Sequence, residues 1–161
     1  MDLISVINSI KEREKTAVIL MGIPASGKST FYRKYFSDSH VHINLDTLHT
    51  RNKENILFTE CLDRGSSLVV DNTNPKVSDR ERYIPRALEA GYEVYGFLFR
   101  GNITDCKLRN AGREGKSRVP DKAITAISSA FEYPRYDEGF GEIYFILQND
   151  GGFEATEYIC D

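Results

Sequence analysis

No stretch of this sequence is long and apolar enough to cross a bilayer as a helix. The longest apolar runs, such as Ala17–Met21, fall far short of the ~18 residues a spanning helix needs. The opening Met1-Asp2-Leu3-Ile4 lacks the basic start of a secretory signal. Cysteine is scarce: Cys61, Cys106 and Cys160 are widely spaced, with no CxxC, so neither a zinc site nor a disulfide framework is indicated. These absences lead us to expect a reduced, cytoplasmic protein with no membrane partner. An excess of basic charge is missing too. Lys and Arg number 21 against 24 Asp and Glu, a net charge of −3. The molecule as a whole is therefore no basic nucleic-acid binder, and any polyanion contact must come from a local patch. There is no internal repeat, low-complexity tract or Pro/Gly/Ser linker, and 161 residues suit one domain spanning 1–161.

What is present is an alternation of apolar runs and helical spacing. Thr16–Met21 is a continuous β-rich run, as expected of a strand buried on both faces of a parallel sheet. Val41–Leu45, Ser67–Asp71, Glu93–Phe99 and Glu142–Leu147 read as further strands. Helices are expected at Asp2–Glu14, Thr30–Phe36, Lys53–Arg64, Ser78–Ala90, Thr104–Ala111 and Asp121–Phe131. The Lys53–Arg64 helix carries Ile56, Leu57, Cys61 and Leu62 on one side and stops at Gly65. For Ser78–Ala90, Ser78 is the expected cap and Gly91 the stop, with Pro85 kinking the helix or shifting its start. After Gly151-Gly152 a short tail is expected. The alternation argues for a three-layer α/β domain with a mostly parallel, five-stranded sheet.

Gly22-Ile23-Pro24-Ala25-Ser26-Gly27-Lys28-Ser29-Thr30 matches G-x-x-x-x-G-K-[ST], and it sits between an expected strand and an expected helix. Glycines let backbone N–H groups wrap phosphate oxygens, and the following helix points its positive end at the same oxygens. Lys28 adds a full charge for the β- and γ-phosphates, and the Ser29 hydroxyl is placed for Mg²⁺. The loop indicates a nucleoside triphosphate without saying what becomes of it. A switch GTPase is disfavoured, since no N-K-x-D occurs and Asp71-Asn72-Thr73-Asn74 is no D-x-x-G.

Two aspartates fall at strand ends. Asp46 follows the second strand, at the sheet edge that faces the ligand crevice in open α/β folds. A carboxylate there can take the proton of an attacking hydroxyl, or simply cap the next helix. Asp71 closes an apolar run, the pattern that holds Mg²⁺ or its water beside a phosphate-binding loop, although Asx chemistry at a turn gives the same residue. Further on, Lys107, Arg109, Arg113, Lys116 and Arg118 fall within twelve residues holding one acid, Glu114. Arg109 and Arg113, at i and i+4, share a helix face. Residues of about 104–120 thus read as a mobile helical lid whose arginines stabilise a transferring phosphoryl group, against the plainer reading of a solvated basic face.

Taken together, Gly22–Thr30, Val41–Leu48 (VHINLDTL), Val69–Pro75 (VVDNTNP), Arg80–Tyr83, Phe97–Phe99 and Phe131–Phe140 (FEYPRYDEGF) resemble the 5′-hydroxyl polynucleotide kinase family. The likeness is closest to the kinase domain of two-domain end-repair enzymes, and it implies a P-loop kinase fold. It also implies transfer of the ATP γ-phosphate to the 5′-hydroxyl of a DNA or RNA end, with Mg²⁺. By this resemblance Asp46 is the general base. Lys28 and Ser29 are the loop lysine and metal-binding serine, Asp71 is the second metal residue, and Arg109 and Arg113 are the lid arginines, with Arg113 on the ATP phosphates. Gly22, Pro24, Ala25, Ser26, Gly27 and Thr30 complete the ATP site. Arg51, Arg80 and Arg82 are candidate contacts to the acceptor. The phage-type branch carries an arginine three positions after its base, where this chain has His49, with Arg51 two residues on. No D-x-D phosphatase or K-x-D-G ligase motif occurs, so kinase activity alone is expected. A P-loop kinase of a small metabolite and a non-catalytic nucleotide-binding module are the rival readings. A basic groove beside Asp46, as opposed to a closed pocket, separates the first rival from the polynucleotide reading.

Overall fold

The computed structural model describes residues 2–115, 118–149 and 151–159, so Lys116 and Cys160 lie outside the described residues. The elements are, in order, α1 (Leu3–Lys11), β1 (Thr16–Met21), α2 (Lys28–Tyr35), β2 (Val41–Ile43), α3 (Leu45–Leu48), α4 (Arg51–Arg64) and β3 (Leu68–Asp71). They continue with α5 (Val77–Arg80), α6 (Ile84–Glu89), β4 (Glu93–Phe99), α7 (Ile103–Ala111), α8 (Asp121–Ser129), β5 (Glu142–Asn149) and β6 (Gly152–Glu157). One sheet has the order β2-β3-β1-β4-β5-β6. All neighbours pair in parallel except β5 and β6. β1 lies between β3 and β4 and is buried along its whole length, which is why it reads as an unbroken apolar run.

Helices cover both faces. Leu3, Val6, Ile7 and Ile10 of α1 join Phe31, Tyr32 and Phe36 over Val18, Leu20, Phe97 and Phe99. On the other face Phe58, Cys61, Ile84 and Ala87 of α4 and α6 pack on Ile19, Met21, Val70 and Leu98. Several helices start at a side-chain cap. Asp2 Oδ1 accepts the Ser5 N–H at 2.8 Å, and Thr50 Oγ1 accepts the Lys53 N–H at 3.1 Å. Gly65, at φ 69°, ends α4 in the left-handed conformation.

The sheet has six strands where five were expected. The sequence predicts a tail where β6 lies, because Gly-Phe-Glu-Ala-Thr-Glu is half polar and begins at the second of two glycines. Asn149 pairs with Gly152, so β5 and β6 form an antiparallel hairpin, and Phe153 and Ala155 then reach the α1–α2 core. Ser78–Ala90 is not one helix. Pro85 sits in the first turn of α6, so the chain breaks into α5 and α6. The cap of α5 is not Ser78 but Lys76, two residues earlier, whose N–H the Asp79 Oδ2 accepts at 3.1 Å. α4 is rotated from the expected face: Glu54, Phe58 and Cys61 are its buried residues, while Ile56 is half exposed.

Candidate active site

The phosphate-binding loop leaves β1 at Met21 and enters α2 at Lys28. Three residues take positive φ to make it turn, Gly22 at 157°, Ala25 at 63° and Gly27 at 103°. A Cβ on Gly27 would lie 2.7 Å from Gln148 Oε1 and 3.0 Å from the Phe153 ring. The left-handed backbone favours glycine there, and any side chain would also have to displace Gln148 and press on the Phe153 ring. The Lys28 ammonium donates to Gly22 O at 2.8 Å, Ile23 O at 2.9 Å and Ser26 Oγ at 3.3 Å. Burial pushes its pKa down to about 8; Asp71 opposes this, and Arg113 adds to it.

Asp71 is buried at the end of β3. Its Oδ2 accepts the Ser29 hydroxyl at 2.7 Å and lies 2.7 Å from His42 Nε2. The His42 ring stacks on Tyr32 at 3.9 Å between centroids. Ser29 and Asp71 thus present two hard oxygens side by side. Among the described residues no group of three or more His, Cys, Asp or Glu could hold a metal ion. The pair still fits Mg²⁺, which keeps several waters and binds through one or two protein oxygens plus substrate phosphates.

Asp46 stands in the first turn of α3, and it is not the cap. Asn44 takes that place: its Oδ1 accepts the Thr47 N–H at 3.0 Å, and its Nδ2 donates to Asp71 O at 2.6 Å. The Asp46 carboxylate is exposed and lines a cavity of about 230 Å³ together with Lys28, Ser29, Arg51, Asp71 and Arg113. Pro24 and Ala25 also line it, whereas Gly22 faces a second, larger cleft beside Arg100 and Phe145. Thr30 is exposed at the start of α2 and accepts from Arg33 at 3.4 Å.

The lid region docks on the loop. Cys106 of α7 and Ile124 of α8 pack with Ile23 and Ala25, and Arg109 Nε donates to Ala25 O at 2.8 Å. The Asn110 side chain bonds Val119 through both its amide groups and so ties the two ends of the intervening segment. Arg113 reaches the cavity and Arg109 grips the loop backbone, so the two arginines have different surroundings.

Two acceptor candidates are not in the cavity. Arg80 is wholly buried and bonded on every side. Its Nε and Nη2 meet Glu138 at 2.7 and 3.1 Å, and its Nη1 meets Asn74 O and Glu132 O, both at 3.0 Å. An arginine so enclosed braces the 72–74 loop against the 132–138 segment, which corrects the expectation of a surface contact. Arg82 is exposed in the turn between α5 and α6 and does not line the cavity. Arg51 does line it, but it is already paired: Nη1 donates to Glu54 Oε1 at 2.9 Å and to Tyr83 OH at 3.1 Å.

The sequence assigns no role to Tyr83, His42, Asn44 or the side chain of Asn72, and it offers Glu54 only as a surface pairing partner for Arg51, a pair that the structure contains. Only Glu54 carried a signal: it shares the i, i+4, i+7 stripe of Phe58 and Cys61, a carboxylate on an apolar face.

No protein-family model matches the chain. A protein of Acanthamoeba polyphaga mimivirus, named provisionally as a bifunctional polynucleotide phosphatase/kinase, is 34% identical over 140 residues, covering 83% of this chain and 33% of that protein. A Schizosaccharomyces pombe protein named bifunctional polynucleotide phosphatase/kinase is 28% identical over 137 residues, 83% of this chain and 34% of its own. The chain thus spans about a third of the length of the curated relatives it matches. Among solved structures, Chaetomium thermophilum Kti12 in complex with ADP-AlF3 aligns with a TM-score of 0.65 at 15% identity, over 83% of this chain and 90% of that one. A gluconokinase from Sinorhizobium meliloti aligns at 0.54 and 18% identity, over 84% and 83%. The fold is that of the P-loop kinases, and the resemblance read from the motifs is borne out by the names of the two relatives.

Proposed function

We propose that this chain, whose fold is that of P-loop kinases and whose relatives are named polynucleotide phosphatase/kinases, transfers the γ-phosphate of ATP to the 5′-hydroxyl end of DNA or RNA. The observation that carries the reading is the single cavity lined by Lys28, Ser29, Asp46, Asp71 and Arg113. It brings an anion-binding loop, a pair of hard oxygens and an exposed carboxylate to one place. Residues 1–161 act as one P-loop kinase domain, with about 104–120 as its lid.

In this reading the ATP phosphates lie in the loop Gly22–Thr30, under the Lys28 charge and the backbone N–H groups at the start of α2. Ser29 and Asp71 hold Mg²⁺, which when bound neutralises charge on the β- and γ-oxygens. The acceptor hydroxyl comes within hydrogen-bond reach of Asp46, ~2.6–3.2 Å. Its oxygen attacks the γ-phosphorus as the bond to the β-bridging oxygen breaks, and ADP leaves. Asp46 takes the hydroxyl proton. Lys28 and Arg113 face the charge spread over the transferring group, Arg109 fastens the lid to the loop, and Arg51 lies where the acceptor enters. The test is transfer of labelled γ-phosphate to a panel of 5′-hydroxyl oligonucleotides and small alcohols. Labelled oligonucleotide is the expected product; a labelled metabolite with no labelled oligonucleotide would overturn the choice of acceptor.

A further inference from the structure

Beside Asp46 lies a polar network centred on one buried carboxylate, which accepts from three side chains. Glu54 is 3% exposed. Its Oε1 accepts from Tyr83 OH at 2.7 Å and from Arg51 at 2.9 Å, and its Oε2 accepts from Asn72 Nδ2 at 2.8 Å. On the other side of the same amide, Asn72 Oδ1 accepts the Leu45 N–H at 2.9 Å. Leu45 is the first residue of α3 and the neighbour of Asp46.

These bonds fix a direction. The backbone N–H of Leu45 can only donate, so it requires the oxygen of the Asn72 amide. That oxygen can face Leu45 only while the NH₂ group faces an acceptor. An ionised carboxylate is acceptor-only, so Glu54 dictates which way Asn72 points. Tyr83 closes the arrangement: its hydroxyl gives its proton to Glu54 and receives Asn72 Nδ2 at 3.2 Å. Burial first, and then the bond to Glu54, raise the Tyr83 pKa.

We infer that Glu54 is a positioning residue for the phosphoryl transfer: acting through the Asn72 amide, it anchors the N-terminal turn of α3 and so places the Asp46 carboxylate in the cavity. The inference rests on the reading of Asp46 as the group that receives the acceptor hydroxyl.

The donor logic supplies its own test. In Glu54→Gln one carboxylate oxygen becomes an NH₂. Tyr83 and Arg51 hold the remaining oxygen, so the NH₂ meets Asn72 Nδ2 donor to donor. Asn72 must flip, and its own NH₂ then opposes the Leu45 N–H. Asn72→Asp does converse harm, setting a second carboxylate against Glu54. Together the two changes restore the pattern, since the new amide at 54 donates to the new carboxylate at 72, whose other oxygen accepts from Leu45. Displacing a reacting group by about 1 Å costs on the order of 10²-fold. Each single variant is therefore expected to lose about tenfold to hundredfold in kcat, with the KM for ATP within about twofold of wild type. E54Q/N72D should recover most of that loss. The measurement is steady-state transfer from ATP to a 5′-hydroxyl oligonucleotide, at a temperature where circular dichroism shows each variant folded. Single variants with wild-type kcat overturn the inference. A double variant whose melting temperature recovers while kcat stays low also overturns it, because the network would then serve stability alone. Asp46→Asn, assayed alongside, separates the two claims. If it retains wild-type turnover the base assignment fails, whereas if it is inactive and E54Q is not, only the positioning role fails.

Discussion

Replacing Arg80 by methionine should destabilise the protein severely, although the residue looks in the sequence like one more charged position on a polar helix. Its guanidinium is 0% and its Glu138 partner 6% exposed. The substitution removes two bonds to that carboxylate and two to the carbonyls of Asn74 and Glu132. Removing one partner of a buried ion pair costs about 3–5 kcal/mol, because the other is left charged and uncompensated. At this chain length each kcal/mol moves the melting temperature by roughly 2–4 °C, so Arg80→Met should melt about 6–20 °C lower than wild type. Glu138 also accepts the Arg135 N–H at 2.9 Å. Adding Glu138→Gln keeps an acceptor there, removes the stranded charge and should recover part of the loss, but not the part due to the two carbonyls. The exposed Arg82 serves as control, and Arg82→Met should stay within about 0.5 kcal/mol of wild type. Urea and thermal unfolding of the three variants would decide. A loss below about 1 kcal/mol for Arg80→Met, the level of a surface pair, would refute the bracing role and return Arg80 to the candidates for substrate contact.

The remaining expectations concern the reaction. Asp46→Asn should bind ATP nearly as wild type but turn over roughly 10²–10⁴ more slowly, the usual worth of a positioned general base; single-turnover transfer checks it. Lys28, at about 8 before the nucleotide binds, should be raised by phosphate charge, so ATP binding takes up a proton above that value. Affinity is then highest below pH 8 and falls as pH rises past it, and calorimetry from pH 7 to 9.5 should show the slope vanish in Lys28→Ala. Arg113→Ala should lower kcat more than it raises the KM for either substrate, and a change in KM alone would remove it from the transferring group. With Arg80 in the frame, few cations remain for the acceptor strand. About two phosphate contacts give a salt slope of ~1.4, or a roughly sevenfold rise in the oligonucleotide KM between ~50 and ~200 mM salt.

The parts of the fold that were legible are those where one physical cause dominates. β1 and β4 are buried almost throughout, so their composition announces them. The phosphate-binding loop is legible because its backbone geometry admits few residue types. β6 was not legible, since an edge strand with one face toward solvent needs only Phe153 and Ala155 to hold it. The break at Pro85 was anticipated as a kink, but the cap two residues before Ser78 was hidden, because Lys76 gives no capping side chain and Asp79 does that work from within the helix.

The same division runs through the site. Asp46 and Asp71 were expected from their place at strand ends, Lys28 and Ser29 from the loop motif and Arg113 from the basic run, and one cavity gathers all five. Residues that hold those residues were missed. Asn44 and Asn72 read as loop polarity, yet one caps α3 and ties it to Asp71 O, and the other joins α3 to Glu54. His42 read as one position of a β run, and it shares the Asp71 oxygen that Ser29 donates to. Apart from the Asn44 cap, which spans three residues, these roles depend on which groups meet across 18 to 42 residues of sequence, a distance over which composition and period carry no information. Arg80 shows the cost of reasoning without that third dimension. Its charge suggested the surface, but a guanidinium with carbonyls and a bidentate carboxylate around it satisfies nearly all its donors inside the protein. The stretch Phe131–Phe140, which the resemblance picked out with no role attached, supplies two of those partners, Glu132 O and Glu138. That stretch is therefore frame: through Arg80 and the Asn74 carbonyl, the Glu138 carboxylate and the Glu132 backbone carbonyl hold the loop that carries Asn72, and through Asn72 the turn that carries Asp46.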